Sequence, residues 1–259
     1  MRIVCVFVLL FAFVGCTKKA KVEYSDWKYY NLQGKVKSMK RVDYEAKEKF
    51  GEIVPEDKKE EEILNFGEDG MLELPSGKTR KIDRDECGNI VRIVIYTGDS
   101  VENERFFEYN AQGLVLCRGV KTEHRDYESR NRYDGKTLVE QDYFRSGKFI
   151  DRTKYTEQES KRYYKTYDSD GKLKSYGEIF RENGVTRKTL EYSSDSVLMT
   201  ECVCDEYSNL IMYQENKSYY SIKYEYQNEY DKKGNIIKQI TYDDGVPTLI
   251  SIRTIEYFE

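Results

Sequence analysis

One turn motif returns along most of this 259-residue chain, and a unit repeated at a steady interval constrains a fold more than any single residue does. Its fullest copy is Tyr230-Asp231-Lys232-Lys233-Gly234-Asn235-Ile236-Ile237. Looser copies are Tyr167-Asp168-Ser169-Asp170-Gly171-Lys172-Leu173, Tyr109-Asn110-Ala111-Gln112-Gly113-Leu114-Val115 and Asp85-Glu86-Cys87-Gly88-Asn89-Ile90. The turn glycines fall at 88, 113, 135, 147, 171, 184, 234 and 245, at intervals near 22 to 25 residues with half-steps of 11 to 13. Asn209 is expected to fill the gap between 184 and 234 as a non-glycine residue at positive φ. A half-step holds one turn and one short strand, so a full step is a hairpin. In Asp-x-x-Gly the carboxylate accepts a backbone N–H two residues on, and the glycine takes the left-handed conformation.

The flanking runs alternate with period two, the signature of a half-buried strand. Ile222, Tyr224, Tyr226 and Tyr230 share one parity, while Lys223, Glu225, Gln227 and Glu229 share the other. Ile90 to Tyr96 and Arg105 to Tyr109 are more apolar and are expected to be covered on both faces. No window of a dozen residues carries a helical stripe. Glu45 to Leu64 comes nearest, but Gly51 and Pro55 interrupt it, and it reads as a charged loop or hairpin excursion. The expected fold is all-β: an antiparallel meander of tandem β-hairpin repeats forming an elongated, open or curled sheet.

Near the start of the chain, Arg2 is followed by an apolar run from Ile3 to Val14, closed by Gly15-Cys16. Such a run is short for a membrane span, which needs about 20 apolar residues, and suits the core of a secretory signal peptide. Phe13-Val14-Gly15-Cys16 resembles a bacterial lipobox, in which the peptidase cuts before a cysteine that carries lipid. The resemblance implies lipidation at Cys16 by acyl chains such as palmitate, each buried methylene contributing about 0.8 kcal/mol. The expected layout is a signal peptide over 1–15, a lipidated cysteine and tether over 16–24, and a repeat domain over 25–259. Lys18 and Lys19 after the cysteine favour an outer-membrane anchor facing the periplasm, with surface exposure left open.

Charged residues make up 35% of the chain, yet 24 tyrosines and only three prolines argue for a folded, well-solvated object. Tyrosine buries a ring and keeps its hydroxyl wet, so the expected core is thin. A net charge of −4 with mixed signs gives no basic stripe for nucleic acid. Cys87, Cys117, Cys202 and Cys204 remain beyond Cys5 and Cys16, enough for two disulfides or for four thiols. Cys202 and Cys204 share a strand face about 6.5 Å apart, so each is better paired across strands or left reduced. A Cys-x-Cys metal site needs further ligands, and His124 is the single histidine. No metal or cofactor is expected.

Tyr-Asp-x-x-Gly-Asn-Ile/Leu, with an aromatic closing each following strand, resembles the tyrosine-aspartate (YD) repeats of Rhs proteins and related shells. The resemblance covers roughly residues 65 to 259 and implies antiparallel hairpins joined side by side into a spiralling sheet. Tyr230 to Ile237 matches every key position, Tyr109 to Val115 has Asn110 in place of Asp, and Asp85 to Ile90 lacks the leading tyrosine. At this length the chain is not expected to close a cocoon around a toxin.

Catalysis needs convergent groups with perturbed acidities. His124 sits in a fully charged stretch, Lys121 to Asp126, and the paired carboxylates are what 47 acidic residues produce by number alone. The chain is therefore read as a non-enzyme. The candidate ligand-facing aromatics are Tyr163, Tyr164, Tyr167, Tyr219, Tyr220, Tyr224 and Tyr226, interleaved with Lys, Arg and Glu as sugar-stacking platforms require. Their competing role is as cross-strand pairs of the sheet. Trp27 is expected to cap the first repeat. Asp99-Ser100-Val101 and Asp195-Ser196-Val197 resemble the Asp-Ser-aliphatic acceptor of periplasmic O-glycosylation, making Ser100 and Ser196 candidate sites. The expected function is a binding or scaffold module engaging a protein or glycan, with a carbohydrate-binding accessory lipoprotein of a nutrient-uptake system as the alternative and an envelope hydrolase behind both.

Overall fold

The computed structural model describes residues 20–259, so the signal-like run and Cys16 lie outside the described residues. A short helix, α1 (Asp26–Tyr29), precedes seventeen strands. These are β1 (Val36–Lys49), β2 (Glu52–Asn65), β3 (Lys78–Arg84), β4 (Ile90–Thr97), β5 (Ser100–Tyr109), β6 (Val115–Thr122), β7 (Asp126–Asp134), β8 (Thr137–Arg145) and β9 (Lys148–Gln158). They continue with β10 (Lys161–Asp168), β11 (Leu173–Glu182), β12 (Val185–Ser193), β13 (Leu198–Cys204), β14 (Leu210–Lys217), β15 (Tyr220–Tyr230), β16 (Ile236–Asp243) and β17 (Val246–Tyr257). Residues 45–64, read as a charged loop or hairpin excursion, form most of the β1–β2 hairpin, which is strand almost to its tip.

Every ladder is antiparallel. The meander from β3 to β17 is consecutive, and β1 closes against β17 with β2 beyond it. The first and last strands are thus neighbours, and β2 and β3 are the edges. Seventeen strands, each antiparallel to the next, leave both edges running the same way, so no antiparallel ladder can join them. The connection 66–77 links them instead, with one bridge between Phe66 and Leu72. The sheet is open, not a closed barrel.

The repeat turn has one geometry, seen at 85–89, 110–114, 168–172, 193–197, 205–209 and 231–235. The first N–H donates to the fifth carbonyl, and the fourth N–H donates to the first carbonyl. The first side chain accepts the N–H groups of the third and fifth residues at Asp85, Asn110, Asp168, Asp205 and Asp231. The fourth residue is left-handed: glycine in four turns, and Ser196 (φ 65°) or Ser208 (φ 66°) in the others. Asn209 therefore does not occupy the positive-φ position assigned to it from sequence. It is the fifth residue, equivalent to Asn89 and Asn235.

The tyrosine of the motif also has a physical role. Tyr109 donates its hydroxyl to the Ile90 carbonyl (3.1 Å) and Tyr133 donates to the Val115 carbonyl (3.0 Å). Tyr230 donates to Asp205, and Tyr257 to Asp231. Each tyrosine closes a strand and ties it to the preceding turn at the same end of the sheet.

The core is thin and divided. Its largest cluster is Leu32, Val36, Met39, Leu64 and Phe66, with Trp27 and Tyr30 packed on it, and the Trp27 indole N–H donates to the Val36 carbonyl (2.8 Å). Two smaller clusters surround Ile250 and Ile90. Ile93 and Val94 are both buried, so β4 is covered on both faces. Cys87, Cys117, Cys202 and Cys204 are free thiols.

Candidate functional site

Hairpins alternate direction, so the turns 85–89, 110–114, 205–209 and 231–235 share one rim, and residues 20–35 run across it. The segment is held through its backbone. Ala20 N–H donates to the Ala111 carbonyl (3.0 Å). Val22 N–H donates to Asn89 Oδ1 (2.6 Å), while Asn89 Nδ2 donates to the Ala20 carbonyl (3.1 Å). Asn235 does the same to one residue, accepting from Gln33 N–H (2.7 Å) and donating to the Gln33 carbonyl (2.9 Å). Asn31 donates to Asn209 (2.7 Å). Asn89 and Asn235 are fully buried, so their amides are committed to this contact. The fifth residue of the repeat turn is thus a clamp for the N-terminal segment.

Between the clamps, Ser25 caps α1 by accepting the Trp27 N–H (3.1 Å). Asp26 points into the sheet, buried, where it accepts the Leu72 N–H (2.8 Å) and the Tyr24 hydroxyl (3.2 Å) with Arg80 and Arg105 each 3.9 Å away. Burial first, and then the Asp26 charge, pushes the Tyr24 hydroxyl pKa up, which keeps it a donor.

Beneath residues 23–29, against β5 to β8, lies an open cleft of about 720 Å³. Register builds its wall. Arg118, Ser129 and Tyr143 are partners across β6, β7 and β8; Arg105, Val120 and Tyr127 form the next row; Asn103 lies two residues along β5. The Tyr127 and Tyr143 rings stack at 6.0 Å, and the Arg145 guanidinium covers Tyr127 at 5.8 Å. Arg105 is committed to Asp26 and the Tyr24 hydroxyl. Arg118 makes no ion pair or hydrogen bond among the described residues, and the buried Asn103 Oδ1 has no hydrogen-bond partner there. A spare cation, a spare acceptor and flat aromatic faces suit reversible binding of a polar molecule with an apolar side.

The seven aromatics singled out from sequence do not form one patch. Tyr164, Tyr220, Tyr224 and Tyr226 share the cleft-bearing face by register, but Tyr163 and Tyr167 lie on the opposite face, where Lys154 covers the Tyr167 ring at 5.7 Å. Tyr219 is 81% exposed at a hairpin tip. Tyr164 lies flat over Gly177, and burial pushes its hydroxyl well above the usual tyrosine range. None of the seven lines the cleft. Its rings are Tyr24, Tyr29, Phe107, Tyr127 and Tyr143, for which the period-two parity of β5 to β8 was the available signal. Ser100, the first residue of β5, and Ser196, in the 193–197 turn, are both exposed at the rim opposite the clamps.

His124 is exposed in the β6–β7 turn, with Glu123 3.9 Å away, and does not line the cleft. Burial pushes Cys117 up to about 11 and also raises Cys202 and Cys204, so these thiols are held away from the thiolate form. Among the described residues no three His, Cys, Asp or Glu side chains converge as metal ligands, and no helix is long and apolar enough to cross a membrane.

No family model matches the chain, and no curated protein matches it. Among solved structures it is similar to a porin-like protein from Bacteroides uniformis, at 12% identity over 85% of this chain and 96% of that one, with a TM-score of 0.41. It is also similar to the Tc holotoxin pore of Photorhabdus luminescens, at 8% identity over 74% of this chain and 16% of that one, with a TM-score of 0.19. Both scores fall below the level at which a common fold can be argued, so the reading of the site rests on its own geometry.

Proposed function

We propose that this protein is a non-catalytic binding module, lipid-anchored in the cell envelope through Cys16, and that it holds a protein or glycan ligand in the cleft beneath residues 23–29. The carrying observation is the cleft itself: roofed by a clamped segment, walled by four strands, and lined by stacked tyrosines beside polar groups without partners. Binding sites are concave, with apolar surface and a few placed polar groups. The non-catalytic reading is supported by the position of His124 outside the cleft and by thiols that burial keeps protonated.

The anchor and the cleft belong together. Ala20 is docked on the rim, and Cys16 stands only four positions before it in the sequence. The clamped rim would then face the bilayer and the opposite rim, with Ser100 and Ser196, would face away.

Two experiments test this reading. Palmitate labelling of the expressed chain is expected to be lost in Cys16→Ser; retained label refutes the anchor. Retention of fractionated envelope polysaccharides and peptides on the immobilised full chain is expected to vanish in Val120→Trp, which fills the cleft. Equal retention by a Val120→Trp protein with an unchanged circular-dichroism spectrum refutes the cleft as the site.

A further inference from the structure

We propose that the ligand of this cleft is a carboxylate-bearing sugar, a uronic-acid type of glycan, with its carboxylate on Arg118, its ring face on Tyr127 and Tyr143, and a hydroxyl donating to Asn103 Oδ1. The inference rests on the cleft being the binding site and adds the chemical class of its occupant.

Three features of the cleft wall correspond to features of such a molecule, and Lys28 of the roof adds a second positive charge beside the Glu23 carboxylate. Arg118 is the cation of the wall that no carboxylate of the described chain neutralises, whereas Arg105 is held by Asp26 and Tyr24. A guanidinium presents paired donors that match a carboxylate in geometry as well as charge. Asn103 Oδ1 is a buried acceptor with nothing donating to it, and a sugar hydroxyl supplies that donor. The stacked pair Tyr127 and Tyr143 offers broad ring surface on the first and second strands beyond Arg118, and the axial C–H face of a pyranose packs on such a surface. Arg118 and Tyr143 are separated by two strand spacings, about 10 Å, wide enough for more than one ring in a cleft of about 720 Å³. An acidic peptide would satisfy Arg118 but would cover the flat aromatic pair only where a ring-bearing residue lies at the right spacing from its acid.

Calorimetric titration of the full chain in detergent micelles with short oligouronates (galacturonate and glucuronate members) and with their methyl esters tests this. Esterification removes the charge and keeps the ring. Binding of at least one acid series is expected, with roughly a ten- to hundredfold loss on esterification, the scale of one charge-assisted hydrogen-bonded contact. Arg118→Gln is expected to erase the preference for acid over ester, Arg118→Lys to restore part of it, and Tyr143→Ala to weaken both series. Equal binding of acid and ester, an unchanged preference in Arg118→Gln, no uronate binding at all, or tighter binding of polyglutamate overturns the proposal. Retention of a neutral glycan that Val120→Trp abolishes would overturn this inference and leave the cleft standing as the site. Uronate binding that survives Val120→Trp would overturn both.

Discussion

The asparagine that ends the repeat turn does different work at different copies. At Asn89 and Asn235 it is fully buried and reads the backbone of the N-terminal segment with both amide atoms, whereas the half-buried Asn209 meets only side chains, those of Asn31 and Tyr230. Removing a buried amide strands the N–H and carbonyl that it satisfied, at about 1–3 kcal/mol. Asn89→Ala and Asn235→Ala are expected to lose that much in urea denaturation, and Asn209→Ala less than either, because its side chain holds no backbone group of the N-terminal segment. The Tyr–Asp contacts add a pH dependence. Burial pushes Tyr257 up to about 12, joined by the hydrogen bond to Asp231; Tyr230 rises to about 12 through burial and Asp205. Burial raises Asp231 too, but the Tyr257 hydroxyl and the turn N–H groups outweigh it, and its acidity ends below the ordinary value. A raised folded value means that the tyrosine contribution is complete below about pH 10 and is lost as pH rises toward 12. A depressed one means that the Asp231 contribution is complete above about pH 4 and is lost as pH falls through its folded value. Tyr257→Phe is expected to remove part of the alkaline loss in a pH series of melting temperatures.

Among the elements, adjacent strands are fitted by placing a ring over a glycine. Tyr164 covers Gly177 and Phe106 covers Gly119, and a Cβ at Gly177 would stand 2.2 Å from the Leu190 carbonyl oxygen. Gly177→Ala is therefore expected to cost about 1–3 kcal/mol through overpacking, measured as a lower denaturant midpoint at constant slope. One of these pairs accounts for the fate of Tyr164. Tyr164 looked like a ligand platform because its neighbours are charged, but its partner is the glycine of the next strand, which only the register of β10 on β11 identifies. The turns themselves were legible: five of the six repeat turns show side-chain capping by an Asp or Asn at the first position, three of them in the Asp-x-x-Gly pattern itself. Ser208 was missed because serine rarely sits at positive φ, and the turn's other hydrogen bonds hold it there.

For the whole molecule, the N-terminal segment connects parts of the sheet that no ladder joins. It packs Trp27 and Leu32 on the β1–β2 core, places Asp26 against Arg80 of β3 and Arg105 of β5, and clamps turns from both halves of the meander. Burying one large apolar side chain contributes about 1.5–3 kcal/mol. Deleting residues 20–35 is expected to lower the melting temperature and to raise amide exchange in β2, β3 and β5 while β9 to β13 stay protected. Uniform loss of protection would show that the sheet unfolds as a single unit and that the segment is not a local brace.

The all-β class, the hairpin period and the capped turns were determined by the sequence alone, because each depends on residues close together in the chain: an Asp, a Gly three positions on, and alternating side chains. The tertiary structure alone decided that β1 lies against β17, that an odd number of antiparallel strands leaves the sheet open, and that residues 20–35 cross one rim to roof a cleft. Those features depend on contacts between residues as far apart as Gln33 and Asn235, and local periodicity carries no information about which distant strands and turns will meet.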